Sequence, residues 1–364
     1  MVIALGVVAV AFNAFGARHL PLFEGAILLF DILGFFAVLI PLWVLAPKVS
    51  ASMIFTSFFN GGEWSSVGAA CVVGILAPAG AFIGADAACH LSEEVKNASL
   101  TVPRVMIFTV LLNGILGFIA IVTYVACIQD VEEQILGSSA AFPFMEVFAV
   151  ATGSNAGAIG MTIPFIVLAY SMTLNSVAAA SRQAWAFATD DGLPFSSWFR
   201  KISIIGGTPL PLNAMVATLI MTIVLALINL GGAQAFNSIN GLISGAIALT
   251  YALSIGCVLW RRLFGAPLPP RRWSLGRLGV PINAVGVLFE VFVTVMSFFP
   301  LFSRPTAYVY FDLTDCILSA NKASSKSMNW GIAMFGGAAI ACSVNYIFNA
   351  RKVYKGPVKH VKEE

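Results

Sequence analysis

The feature that most constrains this chain is a succession of apolar runs, each close to the length of a membrane span and nearly free of charge. They cover about residues 1–16, 21–46, 67–95, 104–128, 157–187, 211–230, 236–260, 281–302 and 329–349. About 20 mainly apolar residues in helical form cross the hydrocarbon core of a bilayer. Backbone polar groups there find no water, so a helix, which bonds its own backbone, is the natural way to cross. The reading is an all-α polytopic membrane protein with nine transmembrane helices. Composition agrees: 59% of residues are hydrophobic and only 10% charged, with mean hydropathy +0.90. A soluble domain carries about a quarter charged residues. No block reads as a separate soluble domain, so residues 1–350 are one transmembrane domain and 351–364 a cytoplasmic tail. The first run is short but has neither a basic leader nor a small-residue cleavage site, so it reads as a span that begins late rather than as a signal peptide.

Charge then orients the chain. Assigning alternate loops to opposite sides places sixteen of the twenty Lys and Arg on one side. They are Arg18, Lys96, Arg104, Arg182, Arg200, Lys201, Arg261, Arg262, Arg271, Arg272, Arg277, Arg351, Lys352, Lys355, Lys359 and Lys362. The other side receives Lys48, Arg304, Lys322 and Lys326. Cytoplasmic loops are enriched in Lys and Arg, so the C-terminus is expected inside and the N-terminus outside. The stretches 129–134 and 303–327 then fall outside. The sequon Asn97-Ala98-Ser99 falls inside and is expected to stay unmodified; a glycan on Asn97 overturns this topology.

The six cysteines are scattered without a C-x-x-C pair and the three histidines are dispersed, so neither a metal site nor a cofactor is expected. A net charge of +3 gives no reason to expect nucleic acid.

The third run carries the chemistry. It reads Val72-Val73-Gly74-Ile75-Leu76-Ala77-Pro78-Ala79-Gly80-Ala81-Phe82-Ile83-Gly84-Ala85-Asp86. Pro78 removes a helical hydrogen bond, and Gly80 and Gly84 lower the cost of unwinding. Broken helices in a membrane occur where they line a cavity, and transporters hold solutes at such breaks. An ionisable group in a span is costly and usually functional or paired. Two readings stand on residue types alone: a substrate-binding break, or a plain Pro/Gly kink with Asp86 near the interface.

The stretch Phe82-Ile83-Gly84-Ala85-Asp86-Ala87-Ala88-Cys89-His90-Leu91-Ser92-Glu93-Glu94-Val95-Lys96-Asn97-Ala98, running on to Val102-Pro103-Arg104, resembles the sixth helix and following loop of the amino acid–polyamine–organocation (APC) transporter superfamily. The form is most similar to fungal amino acid, GABA and choline permeases. Ser181-Arg182-Gln183-Ala184-Trp185-Ala186-Phe187-Ala188, with Asp190-Asp191-Gly192-Leu193-Pro194-Phe195, resembles the inner end of that family's eighth helix. Leu20 to Gly25 through Gly34-Phe35-Phe36 resembles the fifth more weakly. The resemblance implies helices 4–12 of a twelve-helix inverted-repeat fold, and hence an N-terminally truncated permease lacking the family's first, Gly-broken helix. It implies that Phe82, Ile83, Gly84, Ala85 and Asp86 line the substrate site. Exposed carbonyls and the Asp86 carboxylate suit an ammonium group, with Phe82 closing over it by cation–π contact; Asp86 is equally a candidate for the coupling proton.

Further candidates are Asn175 and, more weakly, Asn240 with Ser244 for lining the path; interhelical hydrogen bonding is the competing reading. Asp31, where the fungal relatives carry His, and Glu290 are proton-coupling candidates beside Asp86, whereas Glu24 is expected to snorkel to the cytoplasmic surface. Glu93, Glu94, Arg104 and Arg182 are inner-gate candidates, with solvated interfacial anchors as the alternative. Function is therefore expected to be secondary active transport of amino acids or related amines (GABA, choline), proton-coupled, in the plasma membrane. The alternatives are a non-transporting fragment or, less well supported, a receptor or channel. No H-e-x-x-H or G-x-S-x-G motif supports an intramembrane enzyme.

Overall fold

A computed structural model describes residues 1–299 and 330–354, apart from 63, 91, 93, 94, 139, 141, 229, 231 and 232. The helices, in chain order, are α1 (Val2–Phe15), α2 (Leu20–Leu45), α3 (Ala51–Thr56), α4 (Val67–Gly74), α5 (Leu76–Ala81), α6 (Ala87–His90), α7 (Ala98–Ala126), α8 (Pro143–Thr152), α9 (Asn155–Thr189), α10 (Ser196–Phe199), α11 (Leu212–Ile228), α12 (Ala233–Phe264), α13 (Gly279–Met296) and α14 (Gly331–Asn345). Single π-helical turns lie at Glu132–Leu136 and Tyr346–Ala350. Strands β1 (Ser203–Ile205) and β2 (Thr208–Leu210) form an antiparallel hairpin, a small departure from an all-α chain. Its turn is Gly206-Gly207, both at positive φ, which glycine adopts without steric cost.

Six helical segments among the described residues are long and apolar enough to cross a membrane: Ala17–Leu45, Ala98–Ala126, Asn155–Thr189, Phe236–Phe264, Gly276–Met296 and Gly331–Val353. The other three apolar runs form the shorter α1, the α4–α5 pair and α11. The surroundings these helices require are legible on α7. Phe108, Leu111, Ile115 and Phe118 recur at helical spacing, and each stays about 60% exposed. A stripe of that kind is a liability in water and the ordinary face of a helix in lipid.

By contacts the chain divides into two compact units, the first made of residues 1–57, 108–189 and 195–222 and the second of the remainder. In the first, α2, α8 and α9 meet around Leu42, Ala46, Cys127, Val147, Phe148, Ala151, Ala158 and Met161. The Phe144 ring packs 5.5 Å from Phe148 and 5.3 Å from Phe165. Pro143 opens α8 at a position where its missing N–H costs nothing, and Gly153 closes it in the left-handed conformation. α1 is held to α9 by a buried polar clamp: the Asn13 side-chain amide donates to the carbonyls of Ala9 (3.0 Å) and Leu174 (2.9 Å). Trp43 Nε1 likewise donates to Thr123 Oγ1 at 2.9 Å.

α2 and α9 approach most tightly where Gly34 faces Pro164. A Cβ on Gly34 would lie 3.0 Å from Pro164 Cβ, in rigid surroundings. Gly34→Ala is therefore expected to cost about 1 kcal/mol, the low end of overpacking. It should appear as a lowered thermal midpoint of the detergent-purified chain, with Gly25→Ala, which meets nothing within 4 Å, as the silent control.

In the second unit α12 packs along α13 and α14, and α13 also touches α5. Small residues permit the close α12–α13 approach: Gly286 faces Ile255 and Gly256 faces Val287. Ser238 Oγ accepts the Trp330 N–H at 2.9 Å, tying α12 to the start of α14.

Candidate functional site

The third apolar run is broken twice. α4 begins at Ser66, whose hydroxyl accepts the Ala69 N–H, and ends at Gly74. Pro78, four residues on, has no N–H to give the Gly74 carbonyl, and it sits in the first turn of α5 where that absence is tolerated. α5 in turn stops at Ala81. Phe82 and Ile83 bond back three residues, to Ala79 and Gly80, instead of four. Gly84 then takes φ +98°, a conformation L side chains rarely adopt, and the chain restarts as α6 with Ala87 donating to the Gly84 carbonyl. The segment is thus an interrupted helix with a turn at 82–86 and not a continuous kinked one.

Against this break lies a cavity of about 280 Å³, wholly within the second unit. α5 and its turn contribute Ile75, Leu76, Pro78, Ala79, Gly80, Phe82 and Ile83; α12 contributes Ser244, Ile247, Ala248 and Tyr251; α13 contributes Phe289, Glu290 and Val293. The wall is mostly hydrocarbon and aromatic ring. Among the described residues its ionisable groups are the Glu290 carboxyl and the Tyr251 phenol, and none of those lining it is basic. Phe82 and Ile83 are therefore in the wall, while Gly84, Ala85 and Asp86 form the turn behind it. Asp86 Oδ2 lies 3.2 Å from His90 Nε2, one helical turn on. The Tyr251 phenol interacts electrostatically with the same carboxylate and with the Gly84 backbone. Tyr251 thus joins the cavity wall to the Asp86–His90 pair. Sequence reading missed it, because one Tyr in an apolar helix gives no signal; its partner is more than 160 residues away in the chain.

The remaining sequence candidates fall elsewhere. Asn240 is exposed on α12, one turn before Ser244, and is not in the wall. Asn175 belongs to the first unit, where its side-chain amide donates to Glu24 Oε2 at 3.2 Å. Glu24 Oε1 is itself buried without a hydrogen-bond partner among the described residues, so Glu24 does not snorkel. A nearby donor on α9 holds the carboxylate among the helices instead. Ser171 and Thr173 return their hydroxyls to the Val167 and Ala169 carbonyls of their own helix. Asp31 is exposed on α2, also in the first unit. Of the inner-gate candidates, Glu93 and Glu94 lie outside the described residues, Arg104 is exposed in the first turns of α7, and Arg182 reaches back to the Ala178 carbonyl. Among the described residues no group of three or more His, Cys, Asp or Glu is placed to hold a metal.

Long apolar helices, lipid-type exposed faces and an interrupted helix beside an acidic, aromatic cavity define a polytopic helical membrane protein. The sequence pattern of the amino acid permease family matches residues 1–318, and the chain belongs to that family. It is similar to an uncharacterized amino-acid permease of Schizosaccharomyces pombe, at 27% identity over 85% of this chain and 50% of that protein. It is likewise similar to a choline transporter of Saccharomyces cerevisiae (28%, covering 79% and 50%) and to amino-acid permease 2 of Neurospora crassa (26%, covering 84% and 52%). The chain spans about half the length of these relatives. The fungal permease likeness read from residues 82–104 agrees with them.

Proposed function

We propose that this chain performs secondary active transport of a small amine-bearing solute, bound in the cavity at the 82–86 break and moved by alternating access. The observation that carries this reading is the cavity itself: an apolar and aromatic chamber at a helix break, with Glu290 in its wall and, among the described residues, no basic group to receive an anion. Such a chamber favours a cation with an apolar body, because a carboxylate in an apolar wall attracts a positive partner and ring faces attract ammonium groups. The choline and amino-acid permease relatives support an amine as the solute. Coupling to protons is assigned to carboxylates of the spans, with Asp86 and Glu290 at the cavity and Asp31 on α2 as the candidates. The 16-to-4 division of basic residues supports an outside N-terminus and a cytoplasmic C-terminus, in the plasma membrane.

The test is uptake of labelled choline, GABA and amino acids by proteoliposomes carrying the chain, with and without an inward proton gradient. Solute binding is read separately by thermal shift. Saturable, competed uptake is expected for at least one amine. Absence of both uptake and binding across all the amines removes the proposal. Tyr251→Phe removes a hydroxyl from the cavity wall and is expected to weaken amine binding about fivefold, the scale of one polar contact to the solute of about 1 kcal/mol. A calorimetric titration checks it.

A further inference from the structure

A second charged feature lies outside the cavity, in the connection from α12 to α13. The chain has no Asp or Glu between Asp191 and Glu290, yet Arg261, Arg262, Arg271, Arg272 and Arg277 crowd into this one link. None of the five has an ion-pair partner among the described residues. The link is folded rather than loose. Arg261 donates to the Ala266 and Pro267 carbonyls at 3.2 and 3.3 Å, and Arg271 Nη2 donates to Ser274 Oγ, which also accepts the Gly276 N–H. Arg272 and Arg277 are left exposed.

The fifth arginine sharpens the imbalance. The Arg262 guanidinium lies against Gly279, the first residue of α13, so closely that any Cβ there would collide with it. Its Nε is buried without a partner among the described residues. That end of α13 has no side-chain cap and carries the positive pole of the helix dipole. Positive groups therefore accumulate on one surface, and among the described residues no carboxylate pairs with them. Beside them stand large apolar groups suited to the membrane interface: Trp260, Phe264 and Leu278, each about two-thirds exposed or more, with the Trp260 and Phe264 rings 4.7 Å apart.

We propose that the α12–α13 connection is a docking surface for anionic phospholipid headgroups. The charge identifies the partner as an anion. The adjoining aromatic and aliphatic groups, at the end of a membrane-length helix, identify it as one already in the bilayer. Clusters of basic residues beside a span bind such lipids, each charge adding to the attraction. The proposal rests on the membrane reading and not on transport.

The experiment places the purified full chain in nanodiscs of phosphatidylcholine alone or with phosphatidylserine, and counts retained lipids by native mass spectrometry. Wild type is expected to retain phosphatidylserine in preference. The combined variant Arg271→Gln, Arg272→Gln, Arg277→Gln is expected to lose that preference at least tenfold. A control lacking equal charge elsewhere, Arg18→Gln, Lys201→Gln, Lys352→Gln, should keep it. Arg272→Gln alone gives a smaller loss and guards against misfolding of the triple variant, whose melting in phosphatidylcholine nanodiscs reports its fold. Equal retention by wild type and triple variant, or equal loss in the control, overturns the proposal. So does equally tight binding of inorganic phosphate, which would make the surface a site for soluble anions.

Discussion

Glu290→Gln is expected to weaken binding of a cationic amine by about 1.5–3 kcal/mol, at least tenfold, the worth of a hydrogen bond to a charged group. Glu290 is the carboxyl in the cavity wall, half-buried beside Ile247, Val293 and Phe289. Gln conserves the shape, so packing is undisturbed and the loss isolates charge. The measurement is a titration of choline and of an uncharged isostere against wild type and variant. The isostere should bind both proteins alike. If choline also binds both alike, the cavity does not hold an ammonium group at Glu290. Asp86→Asn separates the two carboxylates: Asp86 lies behind Tyr251, beside His90, and its loss should alter the pH dependence of uptake more than affinity.

Gly84→Val is expected to cost about 2–3 kcal/mol, because a β-branched residue at φ +98° is strained whatever space surrounds it. Nothing lies within 4 Å of a Cβ at this position, so the penalty is conformational and not steric contact. The chain can relieve it only by changing the turn that separates α5 from α6. The prediction therefore couples two readouts: a lower thermal midpoint and loss of amine binding of tenfold or more. Gly80→Val is the control, since Gly80 has open space and no positive φ, and it should affect stability less. Equal effects at the two glycines would show that the turn is not held in this conformation.

Much of the fold is legible from residue types. The apolar runs at 21–46, 104–128, 157–187, 236–260 and 281–302 each correspond to a long helix, because lipid leaves a backbone little choice but to bond to itself. The break at 72–86 was legible for the same reason in reverse: Pro78 and Gly84 remove helical options locally, and local effects are written in adjacent letters. Side-chain pairing was not. Glu24 read as a snorkelling residue from its place near a helix end, yet the Asn175 amide holds it inside the first unit. The hydroxyls of Ser171 and Thr173 close on their own helix, as a hydroxyl four residues from a carbonyl readily does. Asn240 and Ser244 share a helical face, but only Ser244 reaches the cavity wall.

The sequence by itself determined the solvent, the helical form of the spans, the place of the break and the family, since each depends on composition or on neighbouring residues. Only the tertiary structure decided which carboxyl lines the cavity, that Tyr251 meets Asp86, and that Arg262 lies on the start of α13. Those pairings join residues far apart in the chain. They are set by which helix faces pack together, a choice that apolar helices of similar hydropathy leave open until small residues such as Gly256 and Gly286 select the close approach.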